Sequence, residues 1–425
     1  MLTDSWFGRV VLDDEEPCCR ALRFCGQRSN LVPMTGPWTD WWRERREELL
    51  ALAAEHAPCY VYALAEVARA AEELRTLTAV DRVLYACKAN AHPEILRVLS
   101  ARGIDPECVS LAEVEHARSH LPALPPERIL FTPNFAPRRE YEAALAQGVT
   151  LTLDNLHPLE RWSAIFRGRR IFLRVDPGLG QGPHAHVRTA GEAAKFGIPL
   201  DDLEEARRLC AAAGAEVVGL SAHTGSGVFD AENWARNAAR LAEAAALFPA
   251  ARVLDLGGGL GVPYRAEDPC FDLAGLNARL AAFRAKEPRF ELWLEPGRFL
   301  VARAGVLLAR VTQTKRKRAR SKQGEGERLF VGVETGMNSL VRPALYGAEH
   351  RVVNLSRLAE PPSCTATVVG PICESGDRFG EFRLPRCEEG DVLLVADAGA
   401  YGRVMSSRYN LREPAREVVL ATGSA

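Results

Sequence analysis

Lys88 follows an apolar run, Val83–Cys87, in the stretch Tyr85-Ala86-Cys87-Lys88-Ala89-Asn90. An amine at such a strand end, pressed against an apolar wall, has its pKa lowered by desolvation and becomes a Schiff-base nucleophile. His223 ends a second run, in Ala222-His223-Thr224-Gly225-Ser226-Gly227. A third run ends in Gly257-Gly258-Gly259-Leu260-Gly261, and a loop so rich in glycine can bare several backbone N–H groups to a phosphate. Glu295 ends a fourth, in Glu295-Pro296-Gly297-Arg298. Each has a plainer reading: a surface lysine, a satisfied core histidine, a tight turn, a turn carboxylate. Taken together, a lysine, a phosphate cradle, an aromatic ring and a carboxyl group match one ligand well. Pyridoxal phosphate offers an aldehyde to the lysine, a phosphate to the glycines and a ring nitrogen to the acid.

These residues need elements that aim them at one place. From Val83 to Glu295 short apolar runs alternate with helical stretches. The runs are Val83–Cys87, Glu107–Ser110, Ile129–Thr132, Val149–Leu153, Ile171–Val175, Val217–Ala222, Val253–Leu256 and Leu292–Glu295. Between them lie stretches of helical period such as Leu111–His120 and Leu203–Ala213. Strands and helices in this number predict a (β/α)8 TIM barrel over residues 63–297, with the chemistry at the C-terminal ends of its strands. A doubly wound sheet would carry an early GxGxxG, and none follows the first strand.

After Arg298 the pattern turns to strands between Pro-, Gly- and Ser-rich turns: Leu300–Val311, Arg328–Val333, Ala366–Val369, Val392–Ala396 and Val418–Ala421. This predicts a C-terminal, mostly-β domain over 298–425. Residues 1–62 read as an extension, part of it packing with that domain. Trp6–Leu12 reads as a strand, Val32–Trp38 as a loop, Trp41–His56 as a helix and Tyr60–Tyr62 as a strand. The basic run Lys315-Arg316-Lys317-Arg318-Ala319-Arg320-Ser321-Lys322 has a nucleic-acid reading. A solvated hairpin loop is favoured, because strand signals flank it and Glu325 and Glu327 dilute it.

The chain of 425 residues has room for two or three domains. Lys and Arg total 54 against 55 Asp and Glu, so no surplus of basic charge invites nucleic acid or anionic lipid. No apolar run reaches the roughly 18 residues of a membrane span. The 11 cysteines form no CxxC pair and no zinc-spaced cluster, so neither a metal site nor a disulfide framework is expected. The first residues, Met-Leu-Thr-Asp-Ser-Trp, lack the layout of a signal peptide, and the cytoplasm is the expected location.

YACKAN, HTGSG, GGGLG, EPGRFLV, RPALY, GPICESGD and ADAGAYG occur here in the order seen in diaminopimelate decarboxylases. From about Tyr60 to Val419 the chain resembles that family, the barrel-type decarboxylases of basic amino acids that use pyridoxal 5'-phosphate. The barrel segment is most similar to the decarboxylase half of aspartate kinase–diaminopimelate decarboxylase fusions. The resemblance implies an alanine racemase-like, fold type III architecture. It also implies decarboxylation of meso-2,6-diaminopimelate to L-lysine and carbon dioxide, in lysine biosynthesis.

It further implies roles. Lys88 would bind the cofactor covalently, and His223 would stack on its ring. Ser226, Gly257, Gly258 and Gly259, with Gly297 and Arg298, would hold its phosphate, while Glu295 would pair with its ring nitrogen. Arg298, Arg342 and Tyr346 would bind the substrate's non-reacting carboxylate, a task suited to the planar guanidinium fork. Glu374 would receive the distal ammonium, and Tyr401 would lie between cofactor and substrate. Cys373 would donate a proton after carbon dioxide leaves, reaching into the other subunit's barrel, so a homodimer with shared active sites is expected.

The sequence departs from the family at Glu107-Cys108-Val109-Ser110-Leu111-Ala112-Glu113, where an Asp and a glycine pair are usual. The backbone beside Lys88 is open to differ there, and Glu107 and Glu113 stay outside the expected site. Arg298, Arg342 and Glu374 together suit a substrate ending in both an ammonium and a carboxylate, unlike ornithine, lysine or arginine. A decarboxylase of one of those amino acids, a barrel-type racemase and a non-catalytic relative are the alternatives. The racemase leaves Cys-Glu-Ser and RPALY unexplained, and the non-catalytic relative is disfavoured by the presence of both Lys88 and Cys373.

Overall fold

The computed structural model describes residues 40–178, 191, 194–265, 267–321 and 324–420. The strand and loop expected at Trp6–Leu12 and Val32–Trp38 lie outside them. The expected helix over Trp41–His56 is present in two pieces, Trp41–Glu44 and Arg46–His56, and leads into strand β1 (Cys59–Ala63).

The barrel follows. Its strands are β2 (Arg82–Ala86), β3 (Asp105–Cys108), β4 (Leu130–Phe131), β5 (Thr150–Leu153) and β6 (Arg170–Asp176). A two-residue strand β7 (Ile198–Pro199) pairs only with β6. Then come β8 (Glu216–Ser221), β9 (Val253–Asp255) and β10 (Glu291–Leu294). The pairing order is β5-β4-β3-β2-β10-β9-β8-β6, and β5 also pairs with β6, which closes the ring. All eight apolar runs of the sequence thus stand as parallel staves.

Local sequence explains the helices between them. Leu64–Leu74 buries Leu64, Val67, Ala70, Ala71 and Leu74, one face of a 3.6-residue period. Leu111–His120 starts where the usual glycine pair is missing. Ser110 Oγ accepts from the Glu113 N–H at 3.2 Å, and Glu113 Oε2 accepts from the Val109 N–H at 2.7 Å. This reciprocal cap gives Glu113 a structural job. Arg138–Gln147 and Leu203–Ala213 stop at Gly148 and Gly214, at φ of 78° and 69°, the left-handed conformation that ends helices cheaply with glycine.

Inside the barrel, Leu84, Leu130, Phe172, Val218, Val253 and Trp293 form their own apolar cluster. Below it Asp105 pairs with Arg82 at 2.7 Å and with Arg128 at 2.6 Å, and the Arg82 guanidinium lies 4.5 Å from the Trp293 ring. This plug fills the N-terminal end and leaves the C-terminal strand ends as the mouth.

The second sheet contains β11 (Gly305–Ser321), β12 (Gly324–Val333), β13 (Val352–Asn354), β14 (Cys364–Val369), β15 (Arg378–Leu384), β16 (Val392–Val395) and β17 (Arg416–Leu420). β1 lies between β11, antiparallel, and β17, parallel. Trp41, Trp42, Leu49 and Ala53 pack with Val61, Val306, Leu308 and Leu394 on this sheet. Three expectations change. Leu300 and Val301 belong to a short helix, Arg298–Val301, so the strand expected from Leu300 starts at Gly305. β13 and β15 were not marked by the apolar pattern. The basic run through Ser321 is strand, paired residue by residue with β12, instead of loop. Lys315, Arg316, Lys317 and Arg318 are exposed, and Arg316 pairs with Glu327 at 2.7 Å. Lys322 lies outside the described residues. Among the described residues no helix is long and apolar enough to cross a membrane.

Candidate active site

Alternate residues of a barrel strand face inward. Two positions beyond the apolar cluster the inward residue turns polar on strand after strand. Leu130 is followed by Thr132, Phe172 by Arg174, Val253 by Asp255 and Trp293 by Glu295. On β2 the same parity runs from Leu84 through Ala86 to Lys88, which sits in a one-turn 3-10 helix, Cys87–Ala89. β3 contributes Glu107, β5 leads to Asp154, and His223 follows β8. The sequence reading found Lys88, His223 and Glu295 in this ring. It missed Glu107, Thr132, Asp154, Arg174 and Asp255, which the period of two, counted inward from the strand ends, could have found.

The ring is tightly connected. Lys88 Nζ donates to Glu107 Oε2 at 2.6 Å, and the Thr132 hydroxyl donates to the other Glu107 oxygen. Burial works against the Lys88 ammonium, but Glu107, Tyr401 and Glu295 outweigh it and push its pKa above the ordinary lysine value. This corrects the expected desolvated, activated amine: the acidic neighbours decide, and Lys88 rests as an ammonium on a carboxylate. Burial, reinforced by the charges of Arg174 and Lys88, pushes His223 down to about 3, so its ring is neutral. His223 Nδ1 accepts from the Gly258 N–H at 3.1 Å, which leaves the remaining ring proton on Nε2. Burial, with Asp255 and Glu107 beside it, raises Glu295 well above the carboxylate range, and burial lifts Asp255 to about 6. The two carboxyl groups do not both ionise at neutral pH.

The glycine loop is shaped by close approach. A Cβ on Gly258 would stand 2.2 Å from the Glu295 carbonyl oxygen, and one on Gly259 would stand 2.1 Å from that of Gly225. The Gly257 N–H donates to Asp255 Oδ1 at 2.9 Å. Of the three glycines, only Gly259 offers an N–H that donates to no acceptor among the described residues.

Beside the mouth lies a second group. Arg298 and Arg342 each donate an Nη1–H to Tyr264 Oη at 3.2 Å. Arg298 Nη2 also donates to Ser226 Oγ at 3.3 Å, and its guanidinium lies 4.7 Å from the Tyr401 ring. Gly297 caps the short helix that Arg298 begins. Tyr401 takes a φ of 55°, a costly conformation for a non-glycine residue, and its N–H donates to the Ala89 carbonyl at 2.8 Å. Asn90 Nδ2 donates to the Gly399 carbonyl at 2.9 Å, so the β domain grips the turn that carries Lys88. Tyr346 ends the helix Arg342–Tyr346 that Arg342 begins. Tyr264 and His350 are further members that the sequence reading missed.

Cys373 and Glu374 stand apart. Both are exposed, the Cys373 N–H donates to Asn410 Oδ1 at 2.8 Å, and Tyr409 Oη donates to Glu374 Oε1 at 3.1 Å. Among the described residues no hydrogen bond or ion pair joins them to the ring around Lys88.

Residues 64–302 match the family model described as the pyridoxal-binding domain of pyridoxal-dependent decarboxylases. The chain is also 38% identical over 355 residues to a diaminopimelate decarboxylase of Methanothermobacter thermautotrophicus, covering 80% of each protein. The chain is a pyridoxal-dependent decarboxylase. A diaminopimelate decarboxylase of Escherichia coli (strain K12) is 33% identical to this decarboxylase over 399 residues, 89% of this chain and 92% of the relative. A crystal structure of a diaminopimelate decarboxylase superposes with a TM-score of 0.82 at 31% identity, over 92% of this chain and 95% of that one. The decarboxylase therefore has the fold type III architecture, a barrel followed by a β domain, and its cofactor is pyridoxal phosphate. The residues present suit that group: a half-buried lysine amine at the mouth, a neutral ring, an acid, and a glycine loop whose cradle any side chain would fill.

Proposed function

We propose that this protein is a diaminopimelate decarboxylase, releasing carbon dioxide from meso-2,6-diaminopimelate and leaving L-lysine. The observation that carries the reading is the pair of guanidiniums, Arg298 and Arg342, converging on one point beside the Lys88 mouth with no carboxylate partner among the described residues. A substrate that keeps a carboxylate at its non-reacting end supplies the missing anion. Ornithine and arginine, whose far ends lack a carboxylate, do not.

When bound, pyridoxal phosphate supplies an electron sink for the electron pair left as carbon dioxide departs. Lys88 would hold its aldehyde carbon. The Gly259 N–H, Ser226 and Arg298 would hold its phosphate, with Gly257, Gly258 and Gly297 shaping the cradle. His223, neutral and fixed through Nδ1, would lie against the ring. Beside a protonated ring nitrogen the Glu295 carboxyl would ionise, since a neighbouring cation favours the carboxylate, and would keep that proton in place. Arg298, Arg342 and Tyr346 would fix the far carboxylate, and Tyr401 would close the space between cofactor and substrate.

Cys373 and Glu374 belong to this reading as gifts from a second copy of the chain. Their distance in contacts from the Lys88 ring and their exposure support a homodimer in which Glu374 receives the distal ammonium and Cys373 Sγ delivers a proton to the carbon that lost carbon dioxide. A cytoplasmic location fits the eight described cysteines, all of them unpaired.

Carbon dioxide release from meso-diaminopimelate, with ornithine, lysine and arginine offered in competition, tests the substrate. Diaminopimelate is expected to be turned over in preference to the other three; faster release from any of them overturns the assignment. Glu295→Gln gives a further check. The amide copies the neutral acid that burial already favours, so the fold and cofactor content should survive. Turnover should fall on the order of a hundredfold, because an amide cannot keep the ring proton by charge. Full turnover in a cofactor-loaded variant would show that another group serves the ring nitrogen.

A further inference from the structure

We propose that Tyr264 is a specificity-determining residue, which holds the two arginine forks on the substrate's far carboxylate and donates a third hydrogen bond to it. The inference rests on the decarboxylase reading above and extends it to a residue outside the expected site.

The argument starts from valence. Tyr264 Oη accepts an Nη1–H from Arg298 and another from Arg342, both at 3.2 Å. Two accepted bonds occupy both lone pairs of a phenol oxygen. The hydroxyl hydrogen is left over, and no acceptor for it exists among the described residues. A donor aimed beside two guanidiniums is complementary to an anion with several acceptor sites, which a carboxylate is.

The arginines are arranged to match. Arg342 Nη1 also donates to His350 Nε2 at 3.0 Å, and His350 Nδ1 donates to the Ala396 carbonyl at 2.9 Å, which fixes the imidazole tautomer. One nitrogen of Arg342 is thereby saturated, while its Nε and Nη2 donate to nothing among the described residues. Those two nitrogens form one edge of the guanidinium, the edge that meets a carboxylate bidentately. The Arg342 guanidinium also lies 4.8 Å from the Tyr264 ring centre, and the His350 ring meets Tyr264 edge-on at 5.4 Å. Tyr264 thus spaces two like charges that would otherwise repel, and leaves the Nε–Nη2 edge of Arg342 without a partner among the described residues. Burial alone would raise its phenol pKa, but the Arg342 and Arg298 charges outweigh burial and lower it, which strengthens the hydroxyl as a donor.

The test uses the cofactor-loaded enzyme and two inhibitors of equal length. L-Lysine keeps the far carboxylate; cadaverine is the same diamine without it. Tyr264→Phe removes one oxygen and keeps the ring. KM for meso-diaminopimelate should rise by about tenfold to a hundredfold, the worth of a hydrogen bond to a charged group, with kcat within about threefold. Inhibition by L-lysine should weaken by the same factor, while inhibition by cadaverine and the cofactor absorbance stay unchanged. A general disturbance of the site would weaken both inhibitors alike. An unchanged ratio of lysine to cadaverine inhibition overturns the proposal. If Tyr264→Phe does not load cofactor, Tyr264→Leu is read in the same way, and loss of loading in both variants assigns the tyrosine to the fold and overturns the specificity role. Failure of the function reading is seen separately, as absence of carbon dioxide release from meso-diaminopimelate by the unaltered enzyme.

Discussion

Lys88→Ala is expected to abolish the visible absorbance of the cofactor and to cut turnover by on the order of a thousandfold or more, equivalent to about 4 kcal/mol of barrier. Among the described residues Lys88 is the lysine that the barrel's inward parity carries to the mouth, where Glu107, Glu295 and His223 meet it. The variant also leaves Glu107, 1% exposed, without its cation. Stranding a buried carboxylate is strongly destabilising, but the Lys88 side chain is 40% exposed and water screens part of the loss. A drop of about 1–2 kcal/mol in unfolding free energy follows, measurable by denaturant titration. A Lys88→Ala protein that keeps the visible band after dialysis would refute the assignment.

The second large effect is a recovery. Lys88→Ala and Cys373→Ala proteins should each be nearly inactive. If each active site takes Lys88 from one chain and Cys373 from the other, a mixed dimer has one doubly damaged site and one intact site. Random exchange makes about half of the dimers mixed, so activity should return to about a quarter of the unaltered level. The structure motivates the experiment. Cys373 and Glu374 are exposed, held by Asn410 and Tyr409, and unconnected to the Lys88 ring within one chain. Were both residues to serve the same chain's site, no mixture could contain an intact one. Inactivity that persists once heterodimers are demonstrated by tag pull-down would leave Cys373 as a local thiol.

The barrel was legible because most staves are apolar runs buried on both faces, as β8 is with Val217, Val218 and Leu220, and such runs stand out in a sequence. The strand ends were legible for the same reason, and with them Lys88, His223 and Glu295. Partners that reach the site from inside a strand were hidden. Glu107 sits in a stave whose four residues, Asp-Pro-Glu-Cys, are only partly apolar and are held there by neighbours on both sides. In the second sheet, composition misled. The far part of β11 is a basic run, which reads as solvated loop, yet cross-strand hydrogen bonds to β12 need no apolar side chains. Leu300 and Val301 look like strand, but Gly297 and the tight packing of the Arg298 turn make them helix. Tyr264 and His350 carried no pattern at all, since a bridging phenol is defined only by the two arginines that distant segments bring to it.

The position of β1 bears on how the protein is made. It precedes the whole barrel in the chain, yet its two neighbours in the sheet are β11, which begins at Gly305, and β17, which ends at Leu420. A ribosome working from the N-terminus therefore delivers the middle strand of that trio first and its second flank only after the whole barrel and β11. Until β11 is made Cys59–Ala63 waits with both hydrogen-bonding edges open, while the barrel staves, each next in the chain to its neighbour except at the β10–β2 pair, can already associate. The waiting strand carries Trp41, Trp42 and Leu49 with it, side chains that are buried in the finished sheet. Completion of the β domain around β1, and with it the grip of Gly399 and Tyr401 on the Lys88 turn, thereby waits until the segment through β17 has emerged.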